Sequence, residues 1–167
     1  GLRMEGLYSR RGFLKTATAG SAALALSAAS YSRVPGANDR ISIGIIGCGG
    51  RGVGAHMPGI HAHQDGQNFE ITAVCDPWRL RREEAAAKTK AWYGREARKF
   101  SSYRDLIALK DVDAVMIASC DHQHTTHLEA AAKAGKDAYC EKPLARRLDR
   151  LIKAYDAVKE AKIVVQI

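Results

Sequence analysis

Glu141 and Lys142 stand side by side before Pro143, directly after the short run 137–140, which is predicted to be a strand. A lysine that is partly removed from water has its charged form disfavoured, so it can act as an acid or a base near its working pH. The alternative is a solvated lysine in a charged turn. Lys142 is therefore the first candidate for acid–base chemistry.

Gly47, Gly49 and Gly52 form a G-x-G-x-x-G pattern directly after the apolar run 41–46. The first glycine permits a tight turn, the second lets a pyrophosphate approach the backbone, and the third lets the following helix pack closely on the sheet. Glycine loops also make plain strand-to-helix turns. The setting predicts a dinucleotide site that includes Gly50, with Arg51 either at the pyrophosphate or solvated.

Asp76 lies at the end of the next predicted strand, 29 positions after Gly47. A carboxylate there accepts hydrogen bonds from the adenosine ribose and repels a 2′-phosphate, which favours NAD over NADP. The usual spacing is about 20 residues, so a longer loop is predicted at 61–68. The alternative is that Asp76 is only a helix N-cap, and the two roles can coexist. Three arginines nearby leave NADP as an alternative cofactor: Arg79, Arg81 and Arg82.

A cluster of polar residues follows the predicted strand 112–118: Ser119, His122, His124 and His127. Ligands of open α/β sheets bind at the carboxyl ends of strands. Imidazole is a common metal ligand, and His124 and His127 can share one helical face. No cysteine or carboxylate cluster completes a familiar zinc spacing, so no metal site is predicted.

Short β-branched runs alternate with helical patterns along the body of the chain. The runs are mostly apolar throughout, as in strands that are covered on both faces. This alternation predicts an α/β fold with a doubly wound parallel sheet and right-handed crossovers. The predicted strands are 41–46, 70–75, 112–118, 137–140 and 163–167.

The predicted helices have recognisable ends. One opens with Pro77 and runs to about Lys90, a second starts at the capping-box spacing of Ser102, and a third runs from about His124 to Gly135. The helix after the glycine loop is expected to kink or end at a proline, Pro58. The last helix has an apolar face: Leu148, Leu151, Ile152, Tyr155 and Val158.

The N-terminal segment of the chain is predicted to be a targeting signal rather than part of the folded domain. Ser9 to Lys15 has the pattern S-R-R-x-F-L-K and precedes a mildly apolar run, as in a twin-arginine export signal. The alternative is an N-terminal helix with an incidental arginine pair. We predict a signal and linker at 1–37, a periplasmic or otherwise exported location, and a dinucleotide-binding domain at 38–167. Because the chain stops inside an apolar run, that domain is expected to be truncated, with its C-terminal substrate domain missing.

The charge and the cysteines exclude two classes of protein. The net charge of +8 is divided equally, since residues 1–37 have five basic residues and one acid, and residues 38–167 have 21 basic and 17 acidic residues. Mixed signs without a basic stripe do not predict nucleic-acid binding. The four cysteines form no C-x-x-C pair, so they are interpreted as small buried side chains.

Taken in order, these motifs resemble the Gfo/Idh/MocA family, the glucose–fructose oxidoreductase and inositol dehydrogenase group. The resemblance runs from about Arg40 to Ile167 and is most specific at Glu141-Lys142-Pro143, which follows Ala134-Gly135-Lys136. Ser119-Cys120-Asp121 departs from the commoner T-P-N of the family, which puts the detail of the ribose contact in question.

The resemblance implies a role for each matched residue. The loop from Gly47 to Gly52 would hold the pyrophosphate and Asp76 the adenosine ribose, while Ser119, His122 and His124 would line the cofactor cleft. Glu141 would bond the nicotinamide ribose and Lys142 would reach the reacting hydroxyl or carbonyl. A cis Lys142-Pro143 bond, common in this motif, would aim the lysine into the cleft.

Three functions stay open on this basis. The first is an exported NAD-dependent oxidoreductase that transfers hydride between nicotinamide and a sugar, cyclitol or related polyol, active as a full-length homo-oligomer but not as this fragment alone. The second is an NAD-dependent glycoside hydrolase that acts through transient C3 oxidation and elimination. The third is a nucleotide-binding protein without catalysis. The Glu-Lys-Pro triplet favours the first.

Overall fold

A parallel sheet of six strands, β1 to β6, forms the centre of the fold, which the computed structural model describes over residues 40–167. The strand order is β3-β2-β1-β4-β5-β6, and every neighbouring pair is parallel. The predicted doubly wound α/β fold is therefore confirmed. The predicted export signal lies outside the described residues. The strands are β1 Ile41–Ile46, β2 Phe69–Cys75, β3 Arg98–Phe100, β4 Ala114–Ile117, β5 Asp137–Cys140 and β6 Val165–Gln166.

Helices cover both faces of the sheet and create two cores. Ile45, Met57 and Val74 belong to the core on one face, and Leu106, Ile117 and others form the core on the opposite face. The helices are α1 Met57–Ala62, α2 Gln64–Gln67, α3 Arg79–Tyr93, α4 Tyr103–Ile107, α5 His124–Lys133 and α6 Leu148–Ala161, with a π-helical turn Gly52–His56 leading directly into α1.

Besides the bounds of β2, β4 and β6, which shift by one or two residues, four details differ from the sequence predictions. Residues 61–68 are mostly helical rather than a loop, with α2 between two bends. Strand β3 was not predicted, because its three residues are exposed or half-buried at the sheet edge and leave no apolar run. Helix α3 begins at Arg79, after Pro77 rather than on it. In α6 the buried residues are Ala154 and Ala157, whereas most of the predicted apolar face is exposed: Leu148, Ile152 and Tyr155.

Several helix ends agree with the predictions. The Ser102 hydroxyl accepts a hydrogen bond from the Arg104 N–H at the start of α4. Gly135 follows α5 with a φ of +68°, the left-handed conformation that glycine adopts without strain. Pro58 lies in the first turn of α1, directly after the π-helical turn, so the helix changes type there rather than ending.

Candidate functional site

The glycine loop connects β1 to the π-helical turn at the centre of the sheet. Gly47 has a φ of +98°, and a Cβ on it would lie 2.5 Å from the Ser119 nitrogen. A Cβ on Gly52 would lie 2.1 Å from the Gly47 carbonyl oxygen. Both positions therefore require glycine for steric reasons. At Gly49 and Gly50 a Cβ would meet no atom within 4 Å, so these two residues present bare backbone to open space.

An open cleft of about 610 Å³ lies against this loop. It occupies the carboxyl ends of β1, β2 and β4, where the strand order reverses direction and where open α/β sheets bind their ligands. Six of its lining residues carry the argument below: Gly49, Gly50, Arg51, Asp76, Ser119 and His127.

Asp76 ties the glycine loop to the end of β2. Its Oδ2 accepts a hydrogen bond from the Cys48 N–H at 2.9 Å, and its Oδ1 accepts one from the Trp78 N–H at 2.8 Å. Because α3 begins at Arg79 and Trp78 occupies the N-cap position, the interpretation of Asp76 as the helix N-cap is wrong. A carboxylate has about four acceptor positions, so Asp76 keeps capacity for a ligand hydroxyl in the cleft.

Two of the three arginines that kept NADP open are engaged elsewhere. The Arg82 guanidinium donates to the backbone carbonyls of Asp76 and Pro77. Arg81 pairs with Glu84 at 3.0 Å and lies over the Trp78 ring. These contacts orient both side chains, and each guanidinium engages only one of its terminal nitrogens.

Ser119 and His127 form a polar pair in the wall of the cleft. The Ser119 hydroxyl lies 2.9 Å from Nδ1 of His127, whose ring packs against Tyr103 with 4.3 Å between the ring centroids. Burial lowers the pKa of His127 to about 4, with smaller contributions from His124 and Arg104, so the imidazole is neutral at physiological pH. The sequence showed His127 only as one member of a histidine run.

His122 and His124 do not belong to the described residues that line this cleft. His124 is 2% exposed, and its ring nitrogens lie 2.8 Å from the Pro143 carbonyl oxygen and 2.9 Å from that of Ser119. His124 therefore connects the segment after β4 to the Glu141-Lys142-Pro143 motif without lining the cleft. The His122 side chain is largely exposed, 3.7 Å from Asp121.

Glu141 lies at the end of β5 and joins this motif to the glycine loop. Its Oε1 accepts hydrogen bonds from Nε of Arg51 at 2.8 Å and from Nε2 of His56 at 2.7 Å. The hydrogen bond from Arg51 is the main cause that lowers the pKa of the Glu141 carboxyl, against the opposing effect of burial. His56 was not singled out from the sequence, because its partner is 85 residues away.

Lys142 follows Glu141 at the same edge of the sheet, and the Lys142-Pro143 peptide bond is cis, as the resemblance implied. The lysine is exposed and does not line the described cleft. The chain thus places Lys142 near the glycine loop through its neighbour Glu141, but it does not remove the lysine from water.

Three of the four cysteines are buried as predicted, and the fourth is not. Cys48, Cys75 and Cys140 are buried as predicted, and burial raises the pKa of each thiol to about 12, whereas Cys120 is exposed in the cleft wall. Residues 40–167 contain no cluster of three metal-ligating side chains. No helix among them is long and apolar enough to cross a membrane.

The fold and the cleft define a dinucleotide-binding Rossmann domain. Residues 41–167 match the family model described as "Oxidoreductase family, NAD-binding Rossmann fold". The chain therefore belongs to the Gfo/Idh/MocA family of oxidoreductases, and it carries that family's NAD-binding domain.

Two relatives and one solved structure illustrate the range of similar proteins. The inositol 2-dehydrogenase/D-chiro-inositol 3-dehydrogenase of Shouchella clausii is 34% identical over 76% of this chain and 35% of its own length. A glycosyl hydrolase family 109 protein of Shewanella amazonensis is 33% identical over 92% of this chain and 37% of its own length. The WlbA dehydrogenase of Chromobacterium violaceum, solved with NADH and UDP-GlcNAcA, is 26% identical with a TM-score of 0.68, over 77% of this chain and 35% of that one. The chain thus spans a little over a third of the proteins it matches.

Proposed function

We propose that this chain is the cofactor-binding part of an exported NAD-dependent oxidoreductase that acts on a sugar, cyclitol or related polyol. One observation carries the proposal. The Arg51–Glu141 ion pair joins the glycine loop to the Glu141-Lys142-Pro143 motif, so the expected phosphate site and the acid–base candidate share one edge of the sheet. The similarity to an inositol dehydrogenase supports the substrate class.

Each part of the cofactor would meet a different feature of the cleft. The bare backbone at Gly49 and Gly50 suits the pyrophosphate, because N–H groups at the start of a helix bind phosphate. The exposed end of the Arg51 guanidinium can add a charge-assisted contact. Asp76 would accept from the adenosine ribose and Ser119 would line the path between the two ribose groups. The nicotinamide would supply the hydride chemistry.

Lys142 would be the acid–base residue that serves the reacting hydroxyl or carbonyl. It is exposed in this chain, so bound nicotinamide and the substrate domain must exclude water around it before its charged form becomes disfavoured. The chain by itself is accordingly expected to bind NAD but to turn over little substrate.

We propose NAD rather than NADP as the cofactor. The Asp76 carboxylate lines the cleft and would repel a 2′-phosphate, while Arg81 and Arg82 are held by other groups. Arg79 is the exposed cation that a 2′-phosphate would need to recruit.

Export and assembly are further parts of the proposal. Export rests on the twin-arginine pattern Ser9 to Lys15 within the proposed signal and linker 1–37. The proposed domain 38–167 would work with a C-terminal substrate domain, since the relatives are nearly three times as long as the matched part, in a homo-oligomer. A fusion of residues 1–37 to a reporter that folds before export should reach the periplasm, and changing Arg10 and Arg11 to lysine should retain it in the cytoplasm.

The catalytic proposal is tested in the full-length protein with a panel of sugars and cyclitols, by following the formation of NADH. Lys142→Ala should reduce kcat by about 10²- to 10⁴-fold, the usual contribution of a general acid or base. NAD affinity should change little, because Lys142 does not line the cleft. Lys153→Ala, at an exposed position of α6, is the matched control. Full turnover in Lys142→Ala would refute the catalytic role and favour a non-catalytic nucleotide-binding protein.

A second candidate is an NAD-dependent glycoside hydrolase. It is favoured by the extent of the match to glycosyl hydrolase family 109, which covers 92% of this chain, whereas residues 40–167 make up only 128 of 167 residues, or 77%. That match therefore includes residues before Arg40. Cleavage of a nitrophenyl glycoside by the full-length protein without net formation of NADH would establish the hydrolase and exclude the dehydrogenase.

A further inference from the structure

His56 lies behind the cleft and contacts the carboxylate that follows β5. Its Nε2 is 2.7 Å from Oε1 of Glu141, and Nε of Arg51 is 2.8 Å from the same oxygen. We infer that His56 is a positioning residue, which together with Arg51 fixes Oε1 of Glu141 and leaves Oε2 as the oxygen that meets the nicotinamide ribose. The last part of this inference rests on the proposed function.

One carboxylate oxygen of Glu141 accepts two hydrogen bonds, and the other accepts none from the described residues. A carboxylate only accepts, so Arg51 donates its Nε–H and His56 donates from its Nε2–H tautomer. Within residues 40–167, the part that the structure describes, Oε2 accepts no hydrogen bond. Glu141 is 5% exposed, and a buried carboxylate is costly unless it is paired and hydrogen-bonded. The two donors on Oε1 therefore keep the charged Glu141 in place, and the acceptor positions of Oε2 have no partner among the described residues.

The π-helical turn Gly52–His56 is what brings both donors to one oxygen. Arg51 and His56 are five residues apart, and in an α-helix such residues point about 140° apart. In the π-helical turn the Met57 N–H bonds to the Gly52 carbonyl, five residues back, so residues with this spacing lie on the same face of the turn. Turns of this type occur frequently at functional sites. The local geometry thus serves Glu141 directly.

His56 acts through Glu141 rather than on the cofactor itself. Like Glu141 itself, His56 does not belong to the residues that line the described cleft, and its ring packs against Tyr139 with 5.2 Å between the ring centroids. Arg51, in contrast, lines the cleft and is 60% exposed at its side chain, so its terminal nitrogens remain free for phosphate while Nε holds Glu141. Removing His56 should therefore disturb the nicotinamide side of the cofactor more than the pyrophosphate.

The test compares two ligands of the full-length protein by titration calorimetry. NAD⁺ carries the nicotinamide ribose, and ADP ends at the pyrophosphate. In His56→Ala, NAD⁺ should bind about tenfold more weakly, the equivalent of one hydrogen bond to a charged group, whereas ADP should bind within twofold of the wild type. His56→Gln should restore most of the NAD⁺ affinity, because its amide can donate to Oε1. His63→Ala, an exposed histidine just after α1, is the matched control and should change neither ligand.

Three outcomes would overturn the inference. Equal weakening of NAD⁺ and ADP in His56→Ala would show a structural effect on the whole cleft. Unchanged affinity for both would show that Glu141 does not need His56. If His56→Ala fails to fold, His56→Gln and Glu141→Gln decide the matter, and the inference fails unless Glu141→Gln weakens NAD⁺ selectively. Absence of NAD⁺ binding by the wild type would instead refute the proposed function.

Discussion

Buried charged side chains lie at both ends of the parallel strands, but their partners differ. At the amino ends of the strands, which form the amino edge of the sheet, Lys136 is 6% exposed and donates to two backbone carbonyls, at 2.7 and 2.6 Å. Glu70 is 2% exposed and pairs each of its carboxylate oxygens with a different arginine. These charges are occupied by partners within the fold.

At the carboxyl ends of the strands, which form the carboxyl edge of the sheet, the polar groups have partners for only some of their acceptor positions. Glu141 holds two donors on one oxygen, Asp76 holds one backbone N–H on each, and the Ser119 hydroxyl lies in the wall of a cleft. Buried polar groups that keep open acceptor positions next to a cavity are suited to a ligand, whereas fully partnered ones stabilise the fold. The comparison therefore separates charges that are fully partnered within the fold from polar groups that keep acceptor positions open.

The largest expected effect is on the amino edge. Lys136→Met would leave the Leu109 and Val112 carbonyls without their donor, at a cost of about 2–4 kcal/mol in the free energy of unfolding. Urea denaturation measures this loss, and Lys133→Met, which removes only an exposed ion pair with Glu129, should cost less than about 0.5 kcal/mol. Folded Lys136→Met should bind NAD normally. A parallel loss of NAD affinity would refute the conclusion that the buried charges of the amino edge serve stability alone.

A second prediction concerns the pH dependence of stability at the carboxyl edge. Burial lowers the pKa of His127 to about 4 from an ordinary value of 6.5, so the unfolded chain binds a proton that the folded chain excludes between these values. Stability should therefore be full above pH 6.5 and fall by up to about 3 kcal/mol as the pH drops to 4.

Unfolding curves between pH 7 and pH 4 can isolate this contribution. The wild type should lose more stability than His127→Gln over this range, because glutamine does not titrate while other groups contribute equally to both proteins. Identical pH profiles would show that His127 is solvated in the folded chain.

The smallest effect is expected for cofactor choice. Asp76→Asn should bind NAD about tenfold more weakly, or 1.4 kcal/mol, and should narrow the preference for NAD over NADP, because the negative charge that repels a 2′-phosphate is gone. Competition binding with the two cofactors measures both changes. Asp111→Asn, which loses only an exposed pair with Arg98 at the amino edge, should leave the preference unchanged. A shift of equal size in that variant would mean that overall charge, not Asp76, sets the choice.

Local sequence signals predicted most of the fold. Strands β1 and β5 have the predicted bounds, and Gly135 ends its helix in the predicted conformation, because apolar runs and glycine caps are properties of neighbouring residues. Strand β3 escaped prediction, since an edge strand of three exposed or half-buried residues is held by its pairing with β2 rather than by its own pattern. The apolar face of α6 misled the prediction, because α6 packs mainly against α5 and buries two alanines, whereas most of the larger apolar side chains on that face stay exposed.

The candidate site was predictable in part. Gly47 and Gly52 were visible from their spacing, Asp76 from its place at the end of a predicted strand, and the Glu141-Lys142-Pro143 motif from the family resemblance. The role of His127 beside Ser119 was not, since its low pKa follows from burial that one helix cannot provide. His122 and His124 appeared equivalent in the sequence, yet one is exposed and the other fully buried behind the cleft.

The sequence by itself determined the parallel α/β fold, the glycine loop and the acid at the end of β2, because apolar periodicity and glycine positions act over a few residues. Only the tertiary structure decided which charged side chains have all their hydrogen-bond positions filled and which keep acceptor positions free. Arg51, His56 and Glu141 meet at one oxygen although the last lies 85 residues or more from the others. Such a contact depends on the strand order, which no single stretch of the chain encodes, and on the π-helical turn that follows the glycine loop.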